Sequence, residues 1–82
     1  MGEGFGEIFD VEAAPGSELT GKKISKIEKK GLLIVGAIVR GDDYIPAKPD
    51  EIIEPGDRVV LLAHSDHVKK AEKLFSVGVG VF

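Results

Sequence analysis

The chain has 82 residues, 43% of them hydrophobic, which suffices for one domain with one modest core; a chain near this length buries roughly 60–65% of the surface it exposes when unfolded. The lack of cysteine excludes a disulfide framework, a thiolate zinc cluster and a thiol nucleophile. A formal net charge of −3 argues against a general nucleic-acid binder, and no apolar run approaches the roughly 20 residues that span a bilayer.

Taken in chain order, residues 5–13 read as a first strand, because Phe9, Val11 and Ala13 alternate with Asp10 and Glu12. Ala14-Pro15-Gly16-Ser17 breaks it. A helix of about ten residues is expected next, with Thr20 as N-cap, Leu19 and Ile24 at hydrophobic-staple spacing, and Gly31 as its left-handed end. Ile24 and Ile27 form its apolar stripe, while Lys22, Lys23, Lys26, Lys29 and Lys30 face water. Residues 32–39 do not alternate, so both faces of that strand are expected to be covered, one by helices and one by a partner subunit. Tyr44-Ile45-Pro46 is a short edge strand or strand end.

Pro55-Gly56 reads as the centre of a type II turn, with glycine supplying the positive φ. Residues 58–63 form another continuous apolar strand. Ser65 is the expected cap of a last helix that presents Val68, Ala71, Leu74 and Phe75 on one face. The tail, residues 76–82, alternates valine and glycine and reads as a candidate extra strand. The fold class expected is α+β, a small sheet with two helices in the order β-α-β-β-β-α, over a single domain spanning residues 1–82.

Few residues are arranged for chemistry. His64 and His67 are three apart at a strand–helix junction, and two ligands without a third make a poor metal site. No serine or carboxylate completes a triad with either, and Asp42-Asp43 and Asp50-Glu51 lack the calcium-loop pattern. Gly2-Glu3-Gly4-Phe5-Gly6 precedes a strand instead of following one, so it is no dinucleotide fingerprint. No catalytic or metal residue is assigned, and the expectation is a protein that is not an enzyme. More suggestive are Ile38, Arg40, Tyr44, Ile45 and Pro46, grouped around one turn: apolar walls for a flat heterocycle, with an arginine to stack on it or to hold a phosphate.

These residues also carry a resemblance. The run Ala14-Pro15-Gly16-Ser17-Glu18-Leu19-Thr20-Gly21-Lys22-Lys23-Ile24 resembles the opening of the first helix in TrkA-C domains, also called RCK C-terminal domains. The likeness continues through Ile34-Val35-Gly36-Ala37-Ile38-Val39-Arg40, then Ile45-Pro46, then Ile53-Glu54-Pro55-Gly56-Asp57-Arg58-Val59-Val60, and ends at Glu72-Lys73-Leu74-Phe75. It covers residues 7–75 and departs from the family at Lys48-Pro49-Asp50, where a plain Gly-Asp turn is more usual. The resemblance implies a cytoplasmic homodimer, peripheral to the inner face of the membrane, that regulates a potassium transporter or channel. It also implies a small effector such as cyclic di-AMP at the dimer interface, near Ile38, Arg40, Tyr44, Ile45 and Pro46, with no other cofactor and no nucleic-acid partner. Two other readings compete: a ligand-free dimerisation module, and an amino-acid-binding domain of the ACT type, for which Ala14-Pro15-Gly16-Ser17 supplies only part of the glycine-rich turn.

Overall fold

The computed structural model describes residues 6–75. Four strands, β1 (Glu7–Glu12), β2 (Leu33–Arg40), β3 (Asp43–Ile45) and β4 (Arg58–Ala63), form one antiparallel sheet in the spatial order β1-β4-β2-β3. Two helices, α1 (Ile24–Ile27) and α2 (Val68–Phe75), complete an α+β domain, and a 3₁₀ turn at Ser65–His67 leads into α2. The expected tail strand, residues 76–82, lies outside the described residues.

The helices and loops pack on one face of the sheet. Leu33, Val35 and Ile38 of β2 and Val59, Leu61 and Ala63 of β4 enter one core with Leu19, Ile24, Ile27, Ile53 and Ala71. Each fully buried leucine, isoleucine or valine contributes roughly 1.5–3 kcal/mol relative to exposure. Phe9 on β1 meets Phe75 on α2 with ring centroids 5.1 Å apart, which ties the last helix to the sheet edge.

The pairing of β2 with β4 slips between Val35 and Ala37, a bulge at Gly36. Before it, Leu33 and Val35 point inward; after it, Ile38 does. An uninterrupted alternation from Leu33 would have sent Ile38 and Arg40 to the opposite face. The bulge therefore sets which side of the sheet Arg40 serves.

The first helix is much shorter than its sequence suggests. Only four residues are helical, and Lys23 at its start makes no side-chain cap. Thr20 instead donates its hydroxyl to the Ala14 carbonyl within a series of turns. The flanking backbone is drawn to residues 49–53: Gly21 N–H donates to Ile53 O, Ile24 N–H to Glu51 O, and Ile53 N–H to Lys22 O. Like charges at helical spacing, Lys22 with Lys26 and Lys26 with Lys30, also disfavour a longer helix. The isoleucines are buried as expected, and Gly31 adopts a positive φ of 75°.

The turn at Pro55-Gly56 forms as read, with Gly56 at φ 90° and Asp57 N–H donating to Glu54 O. The cap before α2 is His64 and not Ser65: the His64 Nδ1 accepts from Asp66 N–H at 2.9 Å. His67 is buried.

Candidate functional site

The antiparallel pairing of β2 and β3 places the five candidate residues close along the chain but on two sides of the sheet. Ile38 pairs with Ile45 and Arg40 with Asp43, whereas Tyr44 pairs with Val39. Ile38 is fully buried and offers no free wall, while Ile45 packs against the core and stays partly exposed. Tyr44 is 68% exposed, and it and Val39 belong to the opposite face. Pro46 is exposed just past the end of β3. Ile45 and Pro46 form the accessible rim, with Arg40 beside them.

Arg40 is held tightly. Its Nε donates to Asp57 Oδ1 at 2.9 Å, and its Nη2 donates to Asp57 Oδ2 at 2.9 Å and to the Ile52 carbonyl at 3.1 Å. Glu51 and Glu54 stand 3.5 and 3.4 Å from the same guanidinium. Asp57 also accepts from Glu54 N–H at 2.9 Å, and its side chain is 1% exposed against 30% for Arg40. Burial pushes the Asp57 carboxyl up, but the hydrogen bonds from Arg40 and from Glu54 N–H outweigh it and hold the group below its ordinary value. The hydrogen bond with Asp57 moves Arg40 the other way, above its ordinary range.

Asp57, Glu51 and Glu54 are the neighbours of Arg40 that sequence reading missed. Glu54-Pro55-Gly56-Asp57 was legible as a turn, and that explained its acids locally. The signal for more was an aspartate directly before the buried strand β4, where a charge requires a partner.

The outer face of the sheet holds a second feature. Ile8, Leu62 and Ile34 sit side by side across β1, β4 and β2, all exposed. Leu32, Ile34 and Leu62 line a shallow apolar cavity of about 180 Å³ beside them. Further along the same face Arg58 binds Asp10 bidentately at 2.7 and 2.9 Å, with Glu12 paired opposite Arg58. Neighbouring apolar groups on a strand face mark a contact surface more often than scattered ones do. Among the described residues, no helix is long and apolar enough to cross a membrane.

The TrkA-C domain family matches residues 8–76 of the chain. The chain is 34% identical over 80 residues to the Trk system potassium uptake protein TrkA of Azorhizobium caulinodans, covering 98% of this chain and 18% of that relative. It is 41% identical over 69 residues to TrkA homolog 2 of Methanosarcina mazei, covering 84% of this chain and 15% of the relative. A TrkA homolog of Methanothermobacter thermautotrophicus is 33% identical over 76 residues, which is 93% of this chain and 35% of that protein. The chain thus spans about a third or less of the length of these relatives.

Proposed function

The chain belongs to the TrkA-C domain family, and from that premise we propose that it is a cytoplasmic regulatory domain of a potassium transport system, without catalysis of its own. The single observation that carries this reading is the family match over residues 8–76. Its work is to pair with a second copy and to respond to a small effector such as cyclic di-AMP. The response passes to a membrane transporter or channel as a shift between two subunit arrangements, driven by the difference in effector affinity for the two.

The outer sheet face supports the pairing. It carries Ile8, Ile34 and Leu62 at one end and both signs of charge, Arg58 with Asp10 and Glu12, at the other. A two-fold axis through the apolar end brings like against like there and lets opposite charges meet at the rim. Four strands of this length offer roughly 400 Å² in projection, well under the ~800 Å² per partner of a standard interface, so the pairing by this face alone is weak. Sedimentation equilibrium tests it: self-association is expected at high concentration and is expected to vanish in Leu62→Glu. A wild-type chain that stays monomeric removes the dimer.

The effector reading rests on the Ile45-Pro46 rim beside Arg40. Calorimetry with cyclic di-AMP is its test, and a titration without heat at several temperatures removes it. One observation favours a second reading, a dimerisation module with no ligand: Arg40 is already engaged by Asp57. Effector-induced stabilisation separates the two, since a ligand that binds only the folded chain raises its melting temperature.

A further inference from the structure

An arginine can grip an anion at two points along a side edge, through Nε and one Nη, or end-on, through both Nη groups. In this fold one side edge of Arg40 is filled by Asp57, through Nε and Nη2. The second Nη2 hydrogen goes to the Ile52 carbonyl. The end-on grip is therefore also closed, and what stays open is Nη1, with Glu54 3.4 Å away. Three carboxylates, from Glu51, Glu54 and Asp57, surround one guanidinium. A phosphoryl group in solution meets net negative charge and no free two-point donor.

We infer that Asp57 is a built-in occupant of the Arg40 site: a carboxylate of the protein's own that holds the guanidinium in the place of an external anion. A phosphoryl ligand takes Arg40 by two points only if the guanidinium leaves Asp57 or Ile52. The side-edge grip takes the guanidinium from Asp57, which then keeps a single donor, the Glu54 N–H, for a carboxylate that is almost wholly buried. A buried charge deprived of its partner is strongly unfavourable, so ligand capture and a shift of residues 51–57 are one event. That segment is tied onward: Ala13 N–H donates to Asp57 O at 2.7 Å, and Gly56 N–H donates to Ala13 O at 2.8 Å. Displacing Asp57 thus pulls on the end of β1. Asp57 acts through Arg40, as a positioning residue that sets both the affinity threshold of the site and the path by which occupancy is felt. The inference deepens the effector reading above and rests on it for the identity of the ligand, although the lock itself does not depend on that identity.

The test uses inorganic pyrophosphate as the probe and the 82-residue chain. Calorimetry is expected to show Asp57→Asn binding pyrophosphate at least tenfold more tightly than wild type, and the gain is expected to disappear in the double variant with Arg40→Ala. Equal or weaker binding by Asp57→Asn, no binding by either protein, or a gain that persists without Arg40 overturns the inference. Should Asp57→Asn fail to fold, the wild type answers alone by NMR. The Arg40 Nε–H, slow to exchange while Asp57 holds it, is expected to lose protection in step with added pyrophosphate; protection that survives saturation overturns the lock. A chain indifferent to cyclic di-AMP that still shows the Arg40-dependent gain loses the effector reading and keeps the lock. Binding of cyclic di-AMP with no gain in Asp57→Asn does the reverse.

Discussion

Two arginine–aspartate pairs of the same two-point geometry lie on opposite sides of one sheet. Arg58 and Asp10 meet on the outer face, where both side chains are well exposed. Arg40 and Asp57 meet on the side of the core, where the carboxylate is sealed and two further acids and a carbonyl close around the guanidinium. The chemistry is shared and the consequences differ. Water can replace either partner of the outer pair, so that pair adds little; nothing replaces Arg40 for Asp57. The same division runs through the apolar residues, since Leu61 is fully buried and its neighbour Leu62 is exposed.

The contrast can be broken residue by residue. Leu61→Ala is expected to have the largest effect, about 2–5 kcal/mol lost in chemical denaturation, because a core that is closed around it cannot collapse into the gap. Asp57→Asn comes next and has a distinctive pH signature. The Asp57 carboxyl is held below its ordinary value, so its contribution is fully present above pH 3.8 and is lost as pH falls through the folded value. Wild-type stability should therefore drop on acidification below pH 3.8, and the variant should be less stable at neutral pH but flatter in acid. A variant with the same acid limb as wild type would show that other carboxylates control it.

Leu62→Glu is expected to change monomer stability by no more than about 0.5 kcal/mol, as for most exposed positions, while removing self-association in sedimentation. A large loss of monomer stability would erase the difference between the two faces. Asp10→Asn should have the smallest effect. The Arg58 guanidinium holds the Asp10 carboxyl below its usual range, but both groups are open to solvent. A melting temperature unchanged in high salt is the expected result.

Much of the fold was legible, and the failures have identifiable causes. The strand β4 was read with its observed bounds, and the Pro55-Gly56 turn with its positive φ. Residues 32–39 looked apolar on both sides for a reason periodicity does not show. The strand is two alternating halves joined out of phase at Gly36, so inward positions change parity midway. The first helix was overextended because capping residues and an apolar stripe were present, yet its backbone found partners in residues 49–53, far along the chain. The candidate site was half legible. Arg40 and the Ile45-Pro46 rim could be picked out by residue type, but the parity change that turns Arg40 toward Asp57 could not. Tyr44 was included by proximity in sequence, and the pleat puts it on the other face.

The strand order has a consequence for how the chain acquires its shape. The interior strand β4 pairs with both β1 and β2, yet it is the last of the described strands to be synthesised. Until Arg58 and its successors arrive, β1 has no lateral partner among the described strands, and β2 has only the short hairpin to β3. The Asp10–Arg58 contact joins positions 48 residues apart, so closing that loop must precede any gain from the β1–β4 pairing. The local β2–β3 hairpin can form early, but the domain assembles only when β4 slots between strands that preceded it. A chain stopped at Asp57 would hold three of the described strands and could pair only β2 with β3.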